Sequence, residues 1–173
     1  TPILNYYLPR SETASLRPLD EPPFTLLYSG FLSWKRGAGT LLDLASRIKE
    51  EKLGWRLALV GTFNQESERV RAEQVVEERA LDSVLHRVGW DRYVLHADLL
   101  RHTAQAHVGL VLLDPHPNYT VSIPTKFYEY LYHGLPFVCS DFPLWRAFIA
   151  EHGCAAVVPS GDAGAVLEVL KDW

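Results

Sequence analysis

The chain has 173 residues, 47% of them hydrophobic and 22% charged, which is the composition of a globular domain able to bury a core without disulfides or metal. No apolar run approaches the ~20 residues needed to span a bilayer. A net charge of −4 argues against a nucleic-acid footprint over the whole chain, while leaving room for a local cationic pocket.

Residues 1–23 hold five prolines and no helical periodicity, so they read as a lead-in or linker, with the domain proper at 24–173. The opening residues show no charged-then-apolar leader pattern. Met is absent and the chain opens with Thr1-Pro2, which points to a piece of a larger protein. From residue 24 strands and helices alternate. Phe24 to Ser29 is a short apolar run ending at Gly30, a buried strand. Leu41, Leu42, Leu44, Ala45 and Ile48 share one helical face, and Gly54 stops that helix. Leu57 to Val60 is a second strand, ending at Gly61. Residues 65–81 are a charge-laced helix with Ala72, Val76 and Ala80 inward. Val84 to Val88 is a third strand, closed by Gly89, and residues 91–105 are helical. Val108 to Leu113 is a fourth strand, and Pro124 to Tyr132 a short helix stopped by Gly134. Phe137 to Ser140 and Ala155 to Val158 are the last strands, separated by a helix over Leu144 to Glu151. A final helix covers Gly164 to Lys171.

Apolar strands alternating with helices predict a Rossmann-like, three-layer αβα sandwich with about six parallel strands. Ligands of such sheets bind outside the carboxyl ends of the strands. Gly30, Gly61 and Gly89 stand at three of those ends, as turns or as points of close ligand approach. Cys139 and Cys154 lie in apolar stretches and read as core thiols of a reducing, cytoplasmic compartment. The chain lacks GxxxxGK[ST], GxSxG and HExxH, and its histidines have no metal-ligand spacing. Gly37-Ala38-Gly39 begins like a dinucleotide fingerprint, but Leu42 stands where its third glycine belongs. Asn118-Tyr119-Thr120 matches a glycosylation acceptor in a compartment that does not suit it.

The informative stretch is 114–143. Ser122, a good capping residue, and Pro124 mark a helix start whose free N–H groups form an anion site. At about 100° per residue, Ile123, Phe127, Tyr130 and Leu131 share the core face, with Thr125, Lys126 and Glu129 opposite. One short helix thus offers backbone donors for a phosphate, a lysine, and a carboxylate able to accept two hydroxyl hydrogen bonds from a ribose diol. The same spacing also suits a plain surface Lys–Glu pair. Between the first strand and its helix, Lys35 and Arg36 face the same crevice and can pair with a diphosphate.

Together these segments resemble the C-terminal domain of GT-B glycosyltransferases of the family 4-like group. The resemblance runs through LLYSGFLSWKRG, LALVG, VLHRVGW and AHVGLVLL, and above all SIPTKFYEYLYHGLPFVCSDFPLW. It implies a domain that binds a nucleotide-diphosphate sugar, with Glu129 on the ribose and Ser122, Ile123, Pro124, Thr125 and Lys126 at the helix start that holds the diphosphate. It also implies that the Gly89-Trp90 backbone meets the base, that Gly30 and Gly61 line the cleft, and that Lys35 or Arg36 is the cation near the phosphates. Lys35, Arg36 and Glu129 are then the catalytic candidates. Two positions depart from the family pattern: Phe31 replaces an arginine after the first-strand glycine, and Val121 replaces a glutamate that commonly contacts the donor sugar.

The activity so implied is sugar transfer from a nucleotide-diphosphate sugar to a saccharide or lipid-linked acceptor, in bacterial surface-polysaccharide synthesis. It is of the generally retaining, metal-independent kind, with the acceptor domain preceding this one in the parent chain and the whole protein peripheral to the inner face of a membrane. On this reading the domain by itself is inactive. A non-catalytic nucleotide-sugar-binding module and a nucleotide-sugar epimerase on the same architecture are the alternatives.

Overall fold

A computed structural model describes residues 23–173, so the lead-in expected over residues 1–23 lies, but for Pro23, outside the described residues. The strands are β1 (Thr25–Ser29), β2 (Arg56–Val60), β3 (Leu85–Val88), β4 (Val108–Val111), β5 (Phe137–Ser140) and β6 (Ala155–Val158). The helices are α1 (Ala38–Glu50), α2 (Glu66–Glu78), α3 (His96–Ala104), α4 (Pro117–Thr120), α5 (Thr125–His133), α6 (Pro143–His152) and α7 (Ala163–Asp172). The six strands form one sheet in the order β3-β2-β1-β4-β5-β6, and every pairing is parallel.

Alternate side chains of each strand enter opposite layers, as a period of two requires. Leu26, Tyr28, Leu57 and Leu59 pack against Leu41, Leu44 and Ile48 of α1, and α2 and α7 complete that layer. Leu27, Ala58, Val60 and Val111 face the other side, against Phe127 and Tyr130 of α5 and Trp145 of α6. Trp145 is fully buried, edge-on to Phe142 at 4.5 Å and to Phe127 at 5.1 Å. Burial of such rings contributes about 1.5–3 kcal/mol each, and this cluster clamps α6 beneath α5.

The order of the strands reverses between β1 and β4. The chain winds outward from β1 to β3, returns to β4, and then winds the other way. The two connections leave opposite faces there and open a crevice beyond the carboxyl ends of β1 and β4.

Four local expectations differ from the structure. The second helix ends at Glu78, and Ala80 is exposed with φ +49 rather than inward. The core contact passes to Leu81 in a short 3-10 turn. The helix expected from residue 91 begins at His96, because Arg92 N–H donates to Gly89 O at 3.0 Å in a turn and Leu95 remains extended. Strand β4 ends at Val111, two residues before Leu113. Helix α4 was not expected. It starts on Pro117 and is capped by the ring of His116, whose Nδ1 accepts the Asn118 N–H at 3.3 Å.

Candidate functional site

The first turn of α5 opens onto the crevice. Its capping position is Pro124, extended at φ −63 and ψ 144, and no side chain caps the helix. This corrects the expected role of Ser122. The Ser122 hydroxyl instead donates to Asn118 O at 2.7 Å, back into α4, and its own carbonyl accepts Trp145 Nε1–H at 2.8 Å. Proline disfavours helical backbone at the preceding residue, so Ile123 stays outside the helix, the capping position falls on Pro124 rather than Ser122, and the helix expected from Pro124 starts at Thr125. The side chain of Ile123 is buried in the core, while Thr125 is exposed at the helix tip. The first turn of an uncapped helix directs N–H groups and a partial positive charge outward.

Lys126 does not point away from the protein as its helical position suggested. Its ammonium is tucked under the turn that follows β1, where Nζ lies 3.0 Å from the point a Gly30 Cβ would occupy and 5.1 Å from the centre of the Tyr28 ring. Burial lowers Lys126 from its usual 10.5 to about 8; Glu129 partly opposes that shift, and Arg36 adds to it. The Tyr28 hydroxyl donates to Phe31 O at 2.7 Å and holds this turn in place. Burial also keeps its phenol well above the usual range, so it stays neutral.

Arg36 reaches the same place from the loop after β1. Ser33 caps that loop's 3-10 turn by accepting the Arg36 N–H at 3.2 Å, and Asp114 N–H past the end of β4 donates to Lys35 O at 3.2 Å. These bonds fix the loop across the ends of β1 and β4. The Arg36 guanidinium lies 5.6 Å from the Tyr119 ring and is close enough to Tyr28 and Lys126 to influence both. Lys35 contributes its carbonyl to the loop and leaves its side chain exposed. Of the two cations considered, Arg36 is therefore the one in the crevice.

Glu129 stands one turn beyond Lys126, partly exposed. Among the ion pairs of the described residues none joins it to Lys126, so the plain surface pair their spacing allows does not form. Glu129 lines a cavity of about 60 Å³ together with Ser29, His96, Thr103, Tyr130 and His133. On the other side of the β1 turn, Gly30, Phe31, Gly61, Thr62, Tyr93 and Val94 line a second hollow of about 90 Å³. Gly61 has φ +156, and a Cβ there would stand 1.7 Å from Gly30 O. Only glycine lets the two turns approach so closely. The crevice thus sets two cations and free helix amides at one end and a carboxylate about 5 Å further along α5.

The model of one protein family, glycosyl transferases group 1, matches residues 23–172. The chain belongs to this family. The fold is that of the C-terminal domain of GT-B glycosyltransferases. The C-terminal domain of the group 1 protein LpcC from Francisella tularensis superposes with a TM-score of 0.66 at 10% identity, over 86% of this chain and 74% of that one. Sucrose-phosphate synthase from Thermosynechococcus elongatus does so with 0.67 at 21% identity, over 90% of this chain and 37% of that one. HepE from Anabaena, in complex with UDP and glucose, gives 0.65 at 17% identity, over 86% and 38%. The chain therefore spans well under half the length of these last two proteins. No curated protein sequence matches it.

In this group 1 domain several crevice residues carry no motif. Tyr93, Val94 and His96 reach the two hollows because the helix after β3 is delayed, with Leu95 still extended, whereas His133 comes from the last turn of α5. Gly89 and Trp90, expected at the base, sit at the start of that loop. Trp90 is buried edge-on to Phe63 at 5.3 Å, and its carbonyl accepts the Phe63 N–H at 3.2 Å. Phe31 and Val121, the two departures from the family pattern, are both exposed, at 47% and 59%. Among the described residues no helix is long and apolar enough to cross a membrane.

Proposed function

We propose that this domain is the donor-binding half of a glycosyltransferase that moves a sugar from a nucleotide-diphosphate sugar to a saccharide or lipid-linked acceptor, in bacterial surface-polysaccharide synthesis. The observation that carries the reading is the seating of Lys126 beneath Gly30, with Arg36 beside it, the uncapped start of α5 above it and Glu129 one turn on. Two cations and helix amides match the charge of a diphosphate. A carboxylate one turn away matches a ribose diol. In transfer, negative charge develops on the leaving diphosphate, and fixed donors at that point stabilise it without a divalent ion. The retaining outcome, the absence of a metal requirement and a preceding acceptor domain belong to the same proposal. The membrane-peripheral, cytoplasmic setting belongs to it too.

A second reading, a nucleotide-sugar-binding module without catalysis, draws on Phe31 and Val121, exposed apolar side chains at the two positions that depart from the family pattern, the first of them lining the hollow beside Gly30. Calorimetry with UDP, GDP and ADP tests the binding common to both readings, and a transfer assay on the parent protein separates them. Saturable binding of a nucleoside diphosphate is the expected result; no binding of any of the three contradicts both.

A further inference from the structure

His96 is the first residue of α3 and lines the 60 Å³ cavity beside Glu129, yet its Nε2 is buried without a hydrogen-bond partner. Leaving a buried polar nitrogen unpaired is costly, so such an atom in a cavity wall points to a ligand group that pairs with it. Other polar groups of that wall are engaged within the fold. Thr103 Oγ1 donates to Leu99 O at 3.0 Å, and the Ser29 and Tyr130 hydroxyls lie 3.5 Å apart.

The direction along α5 says which part of a nucleotide reaches this place. Lys126, Glu129 and His133 follow at i, i+3 and i+7, and at 1.5 Å per residue Glu129 lies about 5 Å and His133 about 10 Å beyond Lys126. Phosphates at the Lys126 end and ribose at Glu129 leave the base at the His133 and His96 end. The cavity has room for a few waters, or for the polar edge of a ring, but not for a whole nucleoside. A neutral imidazole nitrogen gives or takes one hydrogen bond, which suffices to tell one base edge from another. Leu99 and Leu100 supply the apolar part of the wall.

We propose that His96 reads the polar edge of the donor's nucleobase and so sets nucleotide preference. This rests on the donor-binding reading above. Calorimetry with UDP, CDP, GDP and ADP tests it on the wild-type chain and on the His96→Ala and Glu129→Ala variants. Glu129→Ala should weaken all four by a similar factor. His96→Ala should compress the spread between the best and worst base by about fivefold or more. In the wild-type protein, the imidazole 15N resonance of His96 Nε2 should move with the preferred nucleoside diphosphate and stay in place with ribose 5-phosphate, a readout that does not depend on the variant folding. An unchanged base ranking in His96→Ala, or a stationary Nε2 resonance at saturation, overturns the inference while leaving the donor site intact. Failure of all four nucleotides to bind the wild type overturns the donor reading, and this inference with it.

Discussion

Replacing Lys126 by methionine keeps an unbranched side chain, one atom shorter, and removes its charge. Lys126 is held at about 8 where an unburied lysine stands at 10.5, chiefly by burial. That depression corresponds to ~3 kcal/mol by which folding disfavours the ammonium at neutral pH. The substitution would relieve this and forfeit the cation–π contact with Tyr28, worth ~0.5–1 kcal/mol. The Lys126→Met variant should therefore be more stable than wild type at pH 7, by about 2 kcal/mol in urea unfolding. Between pH 8 and 10.5 the unfolded chain carries the Lys126 proton and the folded one does not, so wild-type stability rises with pH through that window. The advantage of the variant should vanish there. Taking the difference between the two proteins cancels Tyr28 and Tyr130, whose buried phenols are raised and whose contribution falls as pH rises through 10. The same substitution should weaken nucleoside diphosphate binding by about 1.5–3 kcal/mol, the value of a hydrogen bond to a charged group. Greater stability with poorer binding marks a residue kept for function. A variant less stable at pH 7 with unchanged nucleotide affinity would refute the reasoning.

Glu129→Ala should weaken nucleotide binding by about 1.5–3 kcal/mol with the thermal midpoint nearly unchanged, since the core face of α5 is untouched; equal affinities in calorimetry would remove the ribose assignment. Gly61→Ala places a Cβ 1.7 Å from Gly30 O and should destabilise the fold by roughly 2–4 kcal/mol, with an unaltered urea midpoint as the contrary result. Nucleotide affinity should be the same with and without EDTA, because Arg36, Lys126 and the helix amides supply the positive potential; loss of binding in EDTA would contradict the metal-independent reading. The 173 residues span under half the length of sucrose-phosphate synthase and HepE, and on the proposed two-domain reading, in which a facing domain orients the acceptor and excludes water, they should show no sugar turnover by themselves; turnover of about 1 per second would show a complete active site.

The sheet was legible because Leu26 to Tyr28, Leu57 to Val60 and Phe137 to Cys139 are short unbroken apolar runs bounded by turn residues, the pattern of a strand buried on both faces. Helix α1 was legible because Leu41, Leu44, Ala45 and Ile48 recur at the helical period, and all four are buried. Glu129 was placed correctly by arithmetic along its own helix, whereas Lys126 was not. The atoms that cover Lys126 belong to Tyr28 and Gly30, about a hundred residues away, and periodicity carries no information about a neighbouring strand. Ser122 misled because its preference for caps is local, while the start of α5 is fixed by Pro124 and by the bond from Trp145 to the Ser122 carbonyl. His96 lacked any motif; an extended segment that delays a helix by a few residues leaves no trace in hydrophobic pattern. The choice between Lys35 and Arg36 required the bond from Asp114 that turns the loop, a contact across 79 residues of sequence that spacing does not encode.

Amide chemical-shift mapping of the 15N-labelled chain during titration with UDP, GDP and ADP tests the central claim most directly. The account expects saturable shifts for at least one of the three, largest at Gly30, Thr125, Lys126 and Glu129 and small on α2 and α7. Shifts centred away from the carboxyl ends of β1 and β4, or no saturable shift with any of the three, would contradict it.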